Sequence, residues 1–323
     1  MTQAPPAPAA GEPAVALRGL RRAFGDTVAV DGLSFDVARG ELFGLVGPDG
    51  AGKTTTLRML AGVLPPTAGD AFVGGVSVAR APEAVKERIA YMSQRFGLYA
   101  DLTVRENIDF YADLYRVPAA ERPARLERLY RFSNLQPFER RLAGQLSGGM
   151  KQKLGLCCAL IHEPEILLLD EPTFGVDPIS RRDLWLIVHE MVARGVTVLV
   201  STAYMDEAER CDHVALLDHG RVVALDTPFA LQRTLAGRMV ALRASDARRA
   251  VEVLERTPAA HHAALFGDTI HLAMESRERD WPAVQAALDA AGIAVLEVAG
   301  LDPSLEDVFI QRVSETVNGA PLP

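Results

Sequence analysis

The 323-residue sequence predicts an α/β fold in which a mixed sheet core carries an inserted helical subdomain and is followed by a small C-terminal α+β domain. Three observations lead there. The stretch GPDGAGKTT (47–55) joins a strand candidate to a helix candidate through a glycine-rich turn. EILLLD (165–170) and VTVLVST (196–202) are short, almost continuous apolar runs, the pattern of parallel strands buried on both faces. Residues 102–133 instead carry apolar side chains at helical spacing, in LTVRENIDFYADLY and ERPARLERLYRF, with no strand between them.

Residues 1–13, MTQAPPAPAAGEP, are Pro- and Ala-rich without periodicity and read as a flexible tail, with neither the basic start nor the apolar centre of a signal peptide. Strand candidates follow at 14–20, 33–37 and 41–46, then the glycine-rich turn and a helix over 53–60. The helical subdomain is expected over about 95–160, and the first domain as a whole over 14–237. From residue 238 the texture changes. MVALRAS, a helix over 247–255, FGDTIHLAME, a helix around 281–290 and IAVLEVAG make up an α+β domain running to 323, closed by the helix SLEDVFIQRVSE.

Composition narrows the function classes. A 49% hydrophobic and 24% charged content is that of a folded globular chain, and a net charge of −8 argues against the broad basic face that nucleic acid requires. Apolar runs fall far short of the roughly 20 residues needed to cross a bilayer, so no membrane span is expected. Cys157 and Cys158 adjoin and Cys211 stands alone, which is neither a disulfide framework nor zinc spacing. Reduced packing cysteines are the expectation.

The chemistry begins at GPDGAGKTT, which fits G-x-x-x-x-G-K-[ST] between a strand and a helix start. Backbone N–H groups of Gly47, Pro48, Asp49, Gly50, Ala51 and Gly52, save the proline's missing one, combine with the helix dipole into an anion cradle. Lys53 adds a charge for the β- and γ-phosphates, Thr54 an oxygen for Mg²⁺, and Thr55 completes the loop. Asp49 places a negative charge in this loop for which the sequence offers no reason.

In LLLDE (167–171) an apolar strand ends in two carboxylates, which burial alone does not explain. Asp170 is expected to hold Mg²⁺ through water, and Glu171 to polarise an attacking water. LSGGMKQK (146–153) sets Ser147, Gly148, Gly149 and Met150 at another helix start, a second anion-binding end. A chain that already has one phosphate cradle has use for a second if it addresses the nucleotide of another subunit.

With these motifs in this order, residues 14–235 resemble the ATP-binding cassette family of P-loop nucleotide hydrolases. The resemblance makes GPDGAGKTT the Walker A loop, LLLDE the Walker B strand with its catalytic glutamate, and LSGGM the family signature. It further implies that Gln94, in YMSQRFGLY, links Mg²⁺ and the attacking water to a membrane partner, and that Phe24 stacks under adenine. Asp177 falls in the loop that crosses to the other subunit. GLYADLTVRENIDFYADLY and DPSLEDVFI are similar to drug-exporter ATPases, above all to the first nucleotide-binding half of tandem multidrug-exporter ATPases. ATP and Mg²⁺, integral-membrane permease subunits, a second cassette (identical or different) and a peripheral place on the cytoplasmic face of the membrane are what this resemblance implies. Importer ATPases share every catalytic motif, and a regulatory, essentially non-hydrolytic cassette is the other alternative.

One residue departs from the family. Ala203 stands where most members carry a histidine that contacts the γ-phosphate. Removing one preorganised donor costs about 10²- to 10³-fold in rate, so the site around this chain's own loop is expected to hydrolyse slowly unless Ser201, Thr202 or a water substitutes.

Overall fold

The structure, a computed structural model, describes residues 11–94 and 97–317. Most of the expected tail, and the first two residues of the expected helical subdomain, lie outside the described residues. The chain packs as two units: residues up to 204 together with 217–221, and residues 205–216 together with those from 222 onward.

In the first unit, β1 (Val15–Phe24) and β2 (Thr27–Val37) form an antiparallel pair, followed by β3 (Leu42–Val46), α1 (Lys53–Leu60), β4 (Ala68–Val73), β5 (Val76–Ser77), α2 (Pro82–Lys86) and β6 (Ile89–Met92). Next come α3 (Val104–Leu114), α4 (Arg122–Ser133) and α5 (Gly148–Leu160), then β7 (Ile166–Asp170), α6 (Pro178–Ala193) and β8 (Thr197–Thr202). Two sheets result. One is antiparallel, in the order β2-β1-β4-β5. In the other, β6, β7, β8 and β3 run parallel side by side. Every residue of β3, β7 and β8 is buried, which explains why these strands read as continuous apolar runs rather than alternating ones.

The mixed sheet core and the helical insertion are thus as expected, and α1 occupies the predicted 53–60. β4, β5 and β6 are additions to the strands expected from the sequence. AGDAFV opens on Ala and Gly, poor strand formers, and β6 spans only four residues. Helix starts follow local chemistry. Thr103 and Glu106 form a reciprocal capping box on α3, Ser147 Oγ accepts the Met150 N–H at the start of α5, and Asp177 caps α6 through the Ser180 N–H with Pro178 at its first position.

The second unit holds α7 (Met205–Ala208), most of the neighbouring strands β9 (His213–Asp218) and β10 (Arg221–Asp226), α8 (Pro228–Arg233), β11 (Met239–Ala244), α9 (Ala247–Leu254), β12 (His262–Phe266), β13 (Thr269–Ala273), α10 (Arg277–Ala290), β14 (Val295–Gly300) and α11 (Leu305–Val317). Strands β12-β13-β11-β14 form an antiparallel sheet whose βαββαβ order gives it a core of its own. Val240, Leu242, Ile270 and Leu272 from the sheet pack with Leu254 of α9 and with Val284 and Leu288 of α10. The closing helix α11 lies against α7 and α8.

Candidate functional site

The parallel sheet sets the site, because β3, β7 and β8 end at one level: Val46 pairs with Thr202, and Asp170 pairs with Ser201. The chain leaves β3 into the loop 47–52 and wraps onto the N-terminus of α1. Gly52, the residue before that helix, has φ +99°, and a Cβ on it would stand 2.5 Å from the Ala29 carbonyl oxygen. Only glycine fits there. The Lys53 side chain, 4% exposed, folds back over the loop. Its Nζ donates to the carbonyls of Gly47 (2.7 Å) and Pro48 (3.0 Å) and lies 3.3 Å from Glu171 Oε1. Ala51 ties the loop down, its N–H donating to Pro48 O and its carbonyl accepting from Gly220.

The two carboxylates at the end of β7 are held differently. Asp170 is buried and receives three hydroxyls: Thr54 Oγ1 at 2.9 Å and Ser201 Oγ at 2.8 Å on Oδ1, and the Tyr91 hydroxyl at 3.2 Å on Oδ2. Burial, followed by the charge of Asp170, pushes the Tyr91 phenol up to about 12, so it stays a donor at neutral pH. Glu171 has φ +47°, an uncommon conformation for a non-glycine residue. Its N–H donates to Ser201 Oγ at 3.0 Å, and its Oε2 accepts from Gln94 Nε2 at 3.0 Å. A single hydroxyl, that of Ser201, therefore fixes the position of one carboxylate and the backbone of the next.

A cavity of about 270 Å³ opens over this cluster, lined by Asp49 to Thr55 together with Ala29, Gln94 and Glu171. Exposed Asp49 faces the same cavity. The cavity presents hard oxygens, the Thr54 hydroxyl, the Glu171 carboxylate and the Gln94 amide, beside backbone N–H groups and a lysine, and the buried Asp170 stands directly behind Thr54, 2.9 Å from its hydroxyl. That donor set suits Mg²⁺, which binds through one or two carboxylates plus substrate phosphates rather than through a cage of protein ligands. No cluster of three or more His, Cys, Asp or Glu residues able to hold a metal occurs among the described residues.

Other expected residues lie apart from this cluster. Phe24, at the end of β1, is 48% exposed and has the Arg22 guanidinium 4.5 Å from its ring centroid. The α5 start borders a neighbouring cavity of about 300 Å³, lined by Gly148, Lys151 and Gln152 and, on its other side, by Gln94. Gln94 thus borders both cavities. Ala203 forms an exposed bend after β8, and Tyr204 beside it packs its ring under the Arg181 guanidinium at 4.4 Å.

The two signature glycines differ in surroundings. A Cβ on Gly148 would have ordinary space, its nearest neighbour being Gly175 O at 3.8 Å, whereas one on Gly149 would lie 2.2 Å from Ser180 Oγ and 2.3 Å from Ser180 Cβ. The start of α5 is therefore seated directly on the first turn of α6, where the Ser180 N–H holds the Asp177 carboxyl below its usual range. Gly149→Ala is expected to cost about 1–3 kcal/mol in urea unfolding, the usual penalty of overpacking. Adding Ser180→Gly should recover part of that loss, although Ser180→Gly alone destabilises; strictly additive losses would mean the two residues do not touch.

Tyr91 and Ser201 join this cluster through hydrogen bonds that no local sequence signal marks. Tyr91 precedes Gln94 by three residues on β6, and Ser201 was read as a stand-in for the missing histidine rather than as the support of Asp170 and Glu171.

Comparison with known proteins places this geometry among relatives. The family described as "ABC transporter" matches residues 30–174. The "Probable multidrug ABC transporter ATP-binding protein YbhF" of Escherichia coli (strain K12) is 42% identical over 300 residues, which are 92% of this chain and 51% of that protein. This chain thus spans about half the length of that relative. The "Nod factor export ATP-binding protein I" of Rhizobium sp. (strain N33) is 35% identical over 92% of this chain and 96% of its own length. Among solved structures, the dimeric post-hydrolysis state of the ATP-binding cassette MJ0796 bound to ADP and Pi superposes with a TM-score of 0.60 at 25% identity, covering 66% of this chain and 98% of that one.

Proposed function

The chain belongs to the ABC transporter family, and from that premise we propose that it is the ATP-hydrolysing subunit of an exporter for small hydrophobic or amphipathic molecules, coupled to a separate membrane permease. It is an ABC ATPase that binds ATP. The observation that carries the proposal is the convergence of Lys53, Thr54, Gln94 and Glu171 on one cavity, with the buried Asp170 hydrogen-bonded to Thr54 behind it. The names of the relatives, multidrug transport and Nod factor export, support export over import.

In this reading the loop amides cradle the phosphates, and Lys53 Nζ leaves the Gly47 and Pro48 carbonyls to reach the β- and γ-phosphates. Thr54 and Asp170 would hold Mg²⁺, which when bound would neutralise charge on the phosphate oxygens. Gln94 orients and Glu171 polarises the attacking water. As that oxygen bonds to the γ-phosphorus and the bond to the bridging oxygen breaks, Glu171 accepts the proton and later returns it to the phosphate. Phe24 stacks on adenine, with Arg22 beside the same ring.

We assign residues 14–237 to the ATPase domain and 238–323 to an accessory domain, supported by the separate core under β11 to β14. The signature residues Ser147 to Met150 and the loop at Asp177 face a second cassette. No helix among the described residues is long and apolar enough to cross a membrane; the permease anchors the chain to the cytoplasmic face.

The test is affinity purification of the tagged chain from its own membranes, followed by ATPase assay of the captured complex in proteoliposomes. A polytopic permease should co-purify, and hydrophobic drug-like compounds should stimulate hydrolysis. Stimulation by a soluble substrate-binding protein instead would turn the reading to import.

A further inference from the structure

A larger cavity, of about 460 Å³, lies at the opposite end of the parallel sheet. Glu165 and Thr197, which line it, sit where β7 and β8 begin, whereas Asp170 and Thr202 end those strands at the nucleotide site. Its volume falls in the range of small-molecule sites, about 300–1,000 Å³. None of its lining residues belongs to the machinery described above.

The floor is apolar. Leu129 and Phe132 of α4 face Leu160 at the end of α5, Met191 of α6 and Val196. Around it stand four arginines, Arg39, Arg125, Arg128 and Arg194, against two glutamates, Glu163 and Glu165. These charges are unequally committed. Glu163, at φ +55°, is taken by Arg125 (3.2 Å) and by Arg128, and Arg125 also pairs with Glu121 (2.5 Å), which does not line the hollow, and donates to Ile161 O. Arg39 meets Glu165 only at 3.9 Å, the outer limit of an ion pair. The turn that carries Arg39 is fixed in place, because the Gly40 N–H donates to Thr197 Oγ1 at 2.9 Å. Arg194 pairs with Glu190 of its own helix and stands 5.7 Å over the Phe132 ring.

The hollow therefore combines an aromatic, apolar floor with an excess of guanidinium at its rim. Among the lining side chains four guanidiniums stand against two carboxylates, and Arg39 and Arg194 hold their own partners only through a 3.9 Å contact and an exposed pair one helical turn apart, so both can turn to an anion. We propose that this cavity is a binding site for a small amphipathic monoanion, an aryl or branched-alkyl body bearing one carboxylate or sulfonate. The body rests on Leu129, Phe132 and Met191, and the anion turns toward Arg39 and Arg194, where a planar fork of donors matches two oxygens. Because α4 belongs to the helical insertion while α6 and β8 belong to the sheet layers, the bound anion ties the insertion to the sheet at the end remote from ATP.

The test uses the full chain and two naphthalene probes of similar shape, anionic 8-anilinonaphthalene-1-sulfonate and neutral N-phenyl-1-naphthylamine, titrated by fluorescence with ATPγS present to occupy the nucleotide site. One saturable site is expected, at least roughly tenfold tighter for the sulfonate, given the strength of charge-assisted hydrogen bonds. The exposed double variant Arg39→Glu/Arg194→Glu should erase that preference. Val196→Trp, which fills the hollow, should abolish binding of both probes with an unchanged thermal midpoint. Equal affinities for the two probes, or sulfonate binding indifferent to both variants, overturns the proposal. Should Val196→Trp lower the thermal midpoint, the double variant alone decides.

Discussion

Ser147→Arg in this chain is expected to cut the steady-state ATP turnover of the assembled transporter at least 10²-fold, the loss typical of one preorganised transition-state donor, and to do so more severely than Lys53→Ala. The expectation follows from the division of labour within a pair of cassettes. In the proposed pairing with a second cassette, each site would take its loop, Asp170-type and Glu171-type residues from one subunit and its signature from the other, so a chain weak at its own site would still complete its partner's. Ser147 Oγ accepts the Met150 N–H at the start of α5, and Ser147 and Gly148 are both exposed, which leaves that helix end accessible. An arginine removes the cap, worth about 1 kcal/mol, and its side chain occupies the place of the incoming phosphates. Ser147→Ala separates the effects: it loses the cap and the hydroxyl but not the space, so its turnover should lie between that of the native chain and that of Ser147→Arg. Phosphate release from proteoliposomes is the measurement. Turnover abolished by Lys53→Ala and spared by Ser147→Arg would mean that this chain works at its own site and does not serve a partner's.

How much of this was legible in the sequence depends on whether a feature is local. The loop 47–55, helix 53–60 and the strands ending at Asp170 and Thr202 were readable because their signals, glycine spacing and unbroken apolar runs, lie within a few residues. The clamp around Asp170 was not. Ser201 lies 31 residues away and Tyr91 79 residues away, and nothing in their neighbourhoods marks a hydroxyl as the partner of a distant carboxylate. Gly149 is similar. As sequence it was one of two equivalent glycines opening an anion-binding helix, but the structure gives it a packing duty against Ser180 that Gly148 does not share. Motifs reveal where chemistry gathers, while the side chains that hold it rigid are chosen by strand register.

Ala203→His is expected to raise single-turnover hydrolysis at this chain's own site by about 10²-fold, recovering most of what one missing donor costs. Position 203 follows β8 directly, and Thr202 O accepts the Gly47 N–H at 3.3 Å, so the residue stands beside the phosphate loop and one strand from Glu171. Its exposure leaves room for an imidazole without displacing packed neighbours, so stability should change by no more than about 0.5 kcal/mol. The nearby hydroxyls are otherwise engaged. Ser201 Oγ donates to Asp170 and receives the Glu171 N–H, and Thr202 Oγ1 receives the Tyr204 N–H at 3.0 Å. Using either to contact a γ-phosphate would loosen the carboxylates or the turn that position the site, which makes them poor replacements for a histidine. The gain should vanish in a Glu171→Gln background, since a phosphate contact without a polarised water has nothing to accelerate, and ATP affinity should change much less than the rate because Lys53 and the loop amides are untouched. A wild-type rate already within tenfold of the histidine variant would show that a water or hydroxyl fills the gap, and that the two sites of the transporter work on a nearly equal footing.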